Sequence, residues 1–194
     1  MLRTAKISPR SYRSREKEMS KKEQRRLFFA LWPSDTTRGQ LLAISQGLSP
    51  LGGRTVPAEN LHVTLAFLGP VAVSRQDCVE NVARGLQAPG FQLLFDRIGC
   101  FPRLGIVWSG VSTVPRELVL LVNKLNQALG DCGFRLGERP FRPHVTLVRK
   151  ANKPMGNAPH RPVVWSVTDF CLVESVTLPT GARYRVLKRW PLSE

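Results

Sequence analysis

The chain has 194 residues, of which 42% are hydrophobic, and a formal net charge of +15 at pH 7. This length and composition suit one globular domain with a sizeable core and exclude a wholly disordered chain. The longest apolar runs, residues 27–32 and 118–122, fall far short of the roughly 18 residues of a membrane-spanning helix, so we expect no membrane partner. The positive charge favours a polyanionic partner, although a basic surface that serves only solubility explains it equally well.

The N-terminal segment is basic and lacks apolar periodicity. Residues 1–26 contain ten Lys/Arg against three Glu. We therefore predict an arm over residues 1–25 without stable structure, followed by one domain over residues 26–194. A start codon misassigned upstream of Met19 is the origin that we favour for this arm.

The four cysteines are far apart in the chain and show no zinc-site spacing such as Cys-x-x-Cys. The sequence also lacks the apolar core of a signal peptide. We therefore expect reduced thiols in a cytoplasmic protein, with no disulfide, no metal and no cofactor. The residues concerned are Cys78, Cys100, Cys132 and Cys171.

Apolar periodicity and turn residues predict strands that alternate with helices. In chain order, we expect a strand over 26–32, a helix from the cap Ser34 to about Ser49, a strand over 61–68 that stops at Gly69-Pro70, a helix over 74–86, a hairpin of strands over 91–99 and 105–110, a helix over 115–130, a strand over 144–149, a loop over 152–162 with a solvated His160, and terminal strands over 163–178 and 184–190. The two halves are comparable, which indicates an internal duplication with a groove between its lobes.

The same four residues occur twice, as His62-Val63-Thr64-Leu65 and as His144-Val145-Thr146-Leu147. In a strand, each histidine shares a face with the threonine two positions later, while the valine and leucine face the core. One such tetrad alone would most simply be a half-buried histidine beside a β-forming threonine. Two identical tetrads, which use two of the three histidines in the chain, favour an acid and a base that face one substrate.

Two imidazoles and two hydroxyls suit an in-line displacement at phosphorus. A neutral imidazole takes a proton from the attacking water, and a protonated one donates to the departing oxygen. The hydroxyls of Thr64 and Thr146 donate to the non-bridging oxygens, where negative charge builds. We therefore predict His62 and His144 as catalytic residues that work without a metal.

Phe67 and Arg149 each follow a tetrad histidine by five residues. In a regular strand this odd offset turns a side chain away from the histidine face, so both need a twist or bulge to reach the groove. There a phenyl ring suits base stacking and a guanidinium suits phosphate binding, but a core Phe and a surface Arg explain the pattern equally well. Further basic residues flank the second tetrad and indicate either a positive rim or a merely solvated one: Arg139, Arg142, Lys150 and Lys153.

These motifs resemble the 2H phosphoesterase superfamily, which is defined by two His-x-Thr-x motifs. The chain is most similar to the bacterial and archaeal branch called RNA 2′,3′-cyclic phosphodiesterases, or 2′-5′ RNA ligases. The resemblance rests on residues 57–69 and 139–149 around the tetrads, with further likeness over 28–31, 172–175 and 181–184.

The resemblance implies an α+β fold: a bilobal, pseudo-symmetric domain with antiparallel sheets, flanked by helices, around a central cleft. It also implies metal-independent opening of a terminal RNA 2′,3′-cyclic phosphate to a 2′-phosphate, with a reversible 2′-5′ RNA ligase activity. The implied partner is RNA with such a terminus, for example a tRNA fragment, and we expect a monomer.

The resemblance also implies a role for each candidate residue. His62 acts as the acid at the leaving 3′ oxygen, and His144 acts as the base for water. Thr64 and Thr146 hold the phosphate, and Arg149 assists them in binding it. Phe67 packs on the terminal nucleoside. Two alternatives remain open. One is a non-catalytic module that binds RNA ends, and the other is a phosphodiesterase for a small cyclic nucleotide or a 2′-5′ oligonucleotide.

Overall fold

The computed structural model describes residues 24–48, 51–136, 140–153, 156–179 and 181–193. The predicted arm lies outside these ranges, except for its last two residues. The elements of the described chain are β1 Gln24–Leu31, α1 Asp35–Gly47, β2 Arg54–Thr55, β3 Val63–Ala72, α2 Gln76–Gly85, β4 Phe91–Phe101, β5 Ile106–Val111, α3 Arg116–Asp131, β6 His144–Arg149, β7 Ala158–Val167, β8 Asp169–Leu178 and β9 Gly181–Pro191.

The strands form one antiparallel sheet in the order β7-β4-β5-β6-β3-β1-β8-β9, with β2 added on β6. The two halves of this sheet meet at β3 and β6, where Val63 pairs with Val145. We call this junction the seam. The mixed α+β architecture with antiparallel strands agrees with the fold class expected from the sequence.

The sheet repeats one strand–helix–strand unit on each side of the seam. The units are β1-α1-β3 and β5-α3-β6, and each tetrad lies at the start of the last strand of its unit. Within the units, Leu31 pairs with Val63 and Ser109 pairs with Val145, so the valines of the two tetrads occupy equivalent positions. This repeat supports the predicted internal duplication and places both tetrads in the centre of the sheet.

The helices pack on one face of the sheet, and the apolar side chains of both tetrads belong to the same core. Ser34 caps α1, because its hydroxyl oxygen accepts the backbone N–H of Thr37 at 3.3 Å, as predicted. Residues of α3 that are three or four positions apart are buried with the valines and leucines of both tetrads, namely Leu118, Leu121, Val122, Leu125 and Leu129. Burial of each such side chain stabilises the fold by about 1.5–3 kcal/mol, so the apolar face of the sheet is strongly favoured to face the core.

Strand β3 continues through Gly69 and Pro70, so the prediction that it stops there was wrong. Gly69 pairs with Leu27, and Pro70 pairs with Arg26 of β1. On its other edge, β3 is paired with β6 only at Val63 within the described residues. A proline is compatible with such a strand because the free edge requires no N–H donor.

His160 lies in β7 rather than in a solvated loop, so that prediction was wrong too. The strand begins at Ala158, and Nε2 of His160 lies 2.9 Å from the hydroxyl of the fully buried Ser109. Nδ1 of the same ring lies 2.7 Å from the carbonyl oxygen of Arg161. The prolines around His160 concealed a strand that pairs with β4 on both sides of a bulge.

A disulfide joins Cys78 and Cys132, which contradicts the expectation of reduced cysteines. Cys78 belongs to α2 and Cys132 follows α3 directly, and the packing of the two helices brings their Cα atoms within 6.2 Å. Spacing along the chain tests for local metal motifs and could not reveal this contact between distant segments. The disulfide removes one of the two arguments from which the sequence predicted a cytoplasmic location, namely that all four cysteines are reduced. In the described ranges, no helix is long and apolar enough to cross a membrane.

Candidate active site

The seam brings the polar side chains of both tetrads to one face of the sheet. When the antiparallel register of the valine pair is continued by one residue in each direction, His62 lies opposite Thr146 and Thr64 lies opposite His144. Residues that face each other across an antiparallel pair project to the same side. The four side chains therefore share the face that is turned away from the helices.

The two imidazoles are oriented in the same way. Nδ1 of His62 lies 2.7 Å from the carbonyl oxygen of Asn60, and Nδ1 of His144 lies 2.7 Å from that of Arg142. A carbonyl oxygen only accepts, so each Nδ1 carries the proton and each Nε2 is left for a substrate. Asn60 is itself held by its side-chain N–H, which donates to the carbonyl oxygen of Ala182 at 2.9 Å.

Aromatic rings surround His62 on three sides. Trp32 stacks on the imidazole with centroids 5.6 Å apart and an interplanar angle of 11°. Phe28 lies at 5.0 Å, and Tyr184 meets the ring edge-on at 5.1 Å. These contacts hold the ring in place and shield part of it from water, while His62 still lines the cleft.

His144 has a smaller aromatic environment. Phe101 meets its imidazole edge-on with centroids 5.3 Å apart, and the indole of Trp108 lies at 6.1 Å. The same side chains line a cavity of about 350 Å³ beside His144, together with Phe141. This cavity lies on the β6 side of the seam.

Both histidines have lowered pKa values. Burial is the main cause, and it lowers the pKa of His62 to about 4 even though the bond to Asn60 opposes the shift. The positive charges of Arg149 and His144 lower the pKa of His62 further, and Arg149 also lowers that of His144 after burial. At pH 7 the free protein therefore carries neutral imidazoles, and Arg149 lies close enough to influence both.

A bulge occurs at the leucine of each tetrad. In β3, the residues on either side of Leu65, namely Thr64 and Ala66, pair with consecutive residues of β1. In β6, the residues on either side of Leu147 likewise pair with consecutive residues of β5. Each leucine is thus one extra residue in its strand, which reverses the alternation of side chains beyond it.

These bulges bring Phe67 and Arg149 to the histidine face. Both residues line a cleft of about 670 Å³ together with His62 and Thr64. The Phe67 ring is 49% exposed, and the guanidinium of Arg26 lies 4.7 Å from its centroid. The bulge that the sequence interpretation required for these two side chains is therefore present in both strands.

Arg149 extends from a strand end that is held on both edges. It pairs with Arg54 of β2 on one side and with Ile106 of β5 on the other. Lys150, which follows it, adopts a left-handed conformation with φ 57°. Gly53 lies against this turn with φ +88°, and a Cβ there would be 2.5 Å from the carbonyl oxygen of Arg149. Such strained backbone persists only where the surrounding structure imposes it.

The remaining basic residues near the second tetrad are dispersed. Lys150 lines the cleft beside His62, Arg142 lines the cavity beside His144, and Lys153 lines a third hollow. Arg139 lies outside the described residues. The described basic residues are therefore spread over three cavities rather than concentrated at one.

The sequence interpretation missed the residues that hold the imidazoles. Neither Asn60 nor the aromatic partners of the histidines stand out in the sequence as site residues. The four-residue separation of Phe28 and Trp32 in a strand was one available signal, since it places both rings on one face. Tyr184 and Trp108 come from distant segments, and no local pattern links them to the tetrads.

Known proteins resemble this chain over nearly its whole length. A sequence model of the 2′-5′ RNA ligase superfamily matches residues 38–177. The RNA 2′,3′-cyclic phosphodiesterase of Escherichia coli (strain K12) is 37% identical over 89% of this chain and 99% of its own, and that of Archaeoglobus fulgidus is 32% identical over 84% and 98%. The crystal structure of E. coli LigT complexed with 3′-AMP has a TM-score of 0.82 and 36% identity over 89% of this chain and 100% of its own. The chain therefore belongs to the 2′-5′ RNA ligase superfamily, the 2H phosphoesterases that its two tetrads resemble.

Proposed function

We propose that this protein is an RNA 2′,3′-cyclic phosphodiesterase, a phosphoric diester hydrolase that opens a terminal cyclic phosphate to a 2′-phosphate. The observation that carries the proposal is the matched pair of imidazoles, His62 and His144. Both lie beside the seam with Nδ1 held by a backbone carbonyl and Nε2 left for a substrate. Relatives that are at least 30% identical over most of this chain bear this name.

In the proposed reaction, water attacks phosphorus as the 3′ oxygen departs. His144 takes the proton of the water while the new P–O bond forms, and His62 gives a proton to the 3′ oxygen while the P–O3′ bond breaks. The hydroxyls of Thr64 and Thr146 donate to the non-bridging oxygens, and Arg149 offsets their growing negative charge. These groups fill each role with side chains of the chain itself.

The proposal requires that His62 gains a proton together with the substrate. Its pKa of about 4 in the free protein reflects burial and the nearby positive charges. A bound phosphodiester anion supplies the opposite charge and raises that pKa, because a negative neighbour favours the imidazolium. The acid form is thus generated where and when the phosphate is present.

The proposal assigns the terminal nucleoside to the cleft beside His62. Phe67 offers an exposed ring there, and Arg26 lies against it. A ring of this kind stacks on any base. The related E. coli LigT was solved in complex with 3′-AMP, a nucleoside with a phosphate at the same end of the ribose.

The proposal extends to partners and to the reverse reaction. The same groups that release the 3′ oxygen can join a 5′-hydroxyl to the cyclic phosphate through a 2′-5′ linkage, by the same displacement. The formal charge of +15 favours RNA, including tRNA fragments, as the partner. We further propose that the protein acts as a cytoplasmic monomer without a metal.

The decisive experiment is to incubate the purified protein, in EDTA, with an RNA that ends in a 2′,3′-cyclic phosphate, and to identify the terminal phosphate. We expect a 2′-phosphate. A 3′-phosphate would reverse the assignment of the leaving oxygen. An intact cyclic end on RNA that stays bound would favour a non-catalytic module. Faster opening of cyclic mononucleotides than of RNA ends would favour a small-molecule substrate.

A further inference from the structure

Trp108 lies flat on the sheet beside His144, over two glycines. Gly99 is its direct partner in β4, and Gly110 follows it by two positions in β5, so both share its face. A Cβ at Gly99 would lie 2.2 Å from Cζ2 of the indole, and one at Gly110 would lie 2.7 Å from Cζ3. Any side chain at either position would lift the indole, so its flat orientation depends on both glycines.

The indole forms part of the wall of the cavity beside His144. Phe101 lies against it with centroids 5.5 Å apart, and Phe141, Arg97 and Arg142 complete this side of the cavity. The indole N–H of Trp108 is buried without a hydrogen-bond partner among the described residues. A buried N–H without a partner costs free energy, and a Leu or Phe would fill the same space without this cost. Packing alone therefore does not explain a Trp at this position.

We propose that this cavity is the subsite for a second nucleoside, the one whose 5′ oxygen enters or leaves at phosphorus. The inference rests on the proposed function. In an in-line displacement the entering and leaving oxygens lie on opposite sides of phosphorus. If the 3′ oxygen leaves on the His62 side of phosphorus, a 5′ oxygen must approach on the His144 side. The nucleoside attached to that 5′ oxygen then lies next to Trp108.

The chemistry of the cavity suits such a nucleoside. The indole face and Phe101 can stack a base of any identity, because every base has a π-face. Arg97 and Arg142 also line the cavity, and their positive charges suit the next phosphate of the strand, although Arg97 lies 3.5 Å from the carboxylate of Asp96. The volume of about 350 Å³ is on the scale of a small-ligand site.

Both directions of the reaction would use this subsite. In joining, the P–O5′ bond forms and the P–O3′ bond breaks, while the proton of the 5′-hydroxyl goes to His144 and the 3′ oxygen receives one from His62. In the reverse direction, the 3′-hydroxyl gives its proton to His62 and attacks a 2′-5′ diester, so that the P–O3′ bond forms, the P–O5′ bond breaks and the 5′ oxygen receives a proton from His144. Hydrolysis by water needs no second nucleoside, so it provides an internal reference.

The test compares two substrates that share the terminal nucleoside. One is an RNA oligonucleotide that ends in a 2′,3′-cyclic phosphate, and the other is the same oligonucleotide extended by one nucleotide through a 2′-5′ linkage. For Trp108→Ala we expect the ratio of kcat/KM for the extended RNA to that for the cyclic RNA to fall about tenfold. Trp108→Phe keeps a stacking ring and should restore the ratio to within about twofold.

Two further variants keep the test sharp. Phe67→Ala should lower both rates alike and leave the ratio unchanged, because the terminal nucleoside is common to both substrates. Gly99→Ala should lower the ratio as Trp108→Ala does, because it lifts the indole while the ring itself remains. An unchanged ratio or a parallel loss of both rates in Trp108→Ala would overturn the subsite. So would a wild-type protein that opens the cyclic end but never cleaves the extended RNA. Failure of the wild type on the cyclic end would refute the proposed function instead.

Discussion

Val63 and Val145 pair across the seam between the two strand–helix–strand units. Because this pair sets the register, His62 and His144 become diagonal neighbours on one face, and such neighbours are about 7–8 Å apart. A phosphate flanked by hydrogen-bonded contacts of about 2.8 Å to the imidazole on each side can bridge this separation. One backbone pairing thus brings together two imidazoles that are distant in the sequence.

Removal of either imidazole tests the catalytic pair. We expect His62→Ala and His144→Ala each to lower kcat on cyclic-phosphate RNA by about 10²–10⁴, the range for a positioned proton transfer. His160→Ala is the matched control, because that ring lies in β7 and contacts Ser109. The measurement is single-turnover opening of a labelled RNA. Near wild-type rates in both tetrad variants would refute the pair.

An activated substrate separates the acid from the base. In a nucleoside 2′-(4-nitrophenyl phosphate), 4-nitrophenolate takes the place of the departing 5′ oxygen beside His144 and needs no proton donor, while the 3′-hydroxyl attacks on the His62 side. If the roles are assigned correctly, His144→Ala should retain most of its activity on this ester, whereas His62→Ala should remain inactive because the 3′-hydroxyl has lost its base. The opposite pattern would exchange the two roles.

We predict that Arg149 contributes to the pH dependence of the reaction. Burial is the largest cause that holds the pKa of both histidines below the usual 6.5, and the positive charge of Arg149 is the next cause that lowers it. The imidazolium needed as acid therefore becomes more abundant as pH falls, and kcat/KM should rise between pH 8 and pH 6. Arg149→Ala removes a positive charge, so both pKa values should rise and the profile should move to higher pH while kcat falls. A profile that stays at the same pH in this variant would contradict the assigned electrostatics.

Gly53 supports the strand end that carries Arg149. Gly53→Ala should destabilise the fold by more than about 1 kcal/mol, because φ is positive and the new Cβ would meet backbone atoms at residues 149–151. Gly39→Ala is the control: it lies in α1 with no atom within 4 Å of the new Cβ, and it should stabilise by about 0.5–1 kcal/mol. Urea unfolding measures both effects. Equal shifts of the same sign would show that the turn imposes no constraint.

The disulfide between Cys78 and Cys132 contributes to stability. It closes a loop with a sequence separation of 54 residues, for which about 2–4 kcal/mol is typical. A thiol reductant should lower the urea midpoint of the wild type but not that of the double variant Cys78→Ala/Cys132→Ala. Thiol titration of the unfolded, unreduced chain should find two of the four cysteines reactive. Four reactive thiols would contradict the bond.

The sequence could predict that the polar side chains of each tetrad share a face, because strand alternation is a local rule. His62 and Thr64 are two residues apart and therefore project to the same side of a strand, while Val63 points to the opposite side, into the core. The need for a bulge before Phe67 and Arg149 also followed from counting residues. The location of the bulges at Leu65 and Leu147 did not, because it depends on pairing with β1 and β5.

The other misses share one physical cause. Cys78 meets Cys132, and Trp108 lies on Gly99, through contacts between segments that are distant or separately predicted. His160 reaches Ser109 only because the proline-rich segment joins the sheet. Local propensity contains no information on such contacts, so the surroundings of the site emerged only from the fold.

The most direct test of the central claim is a histidine NMR titration with a nucleoside 2′-monophosphate, the terminus that the proposed reaction leaves. If both imidazoles contact one phosphate, the ligand should raise the pKa of His62 and of His144 together, while the signals of His160 stay unchanged. A shift confined to one tetrad histidine would mean that the two rings serve different sites, and the shared-phosphate mechanism would be wrong.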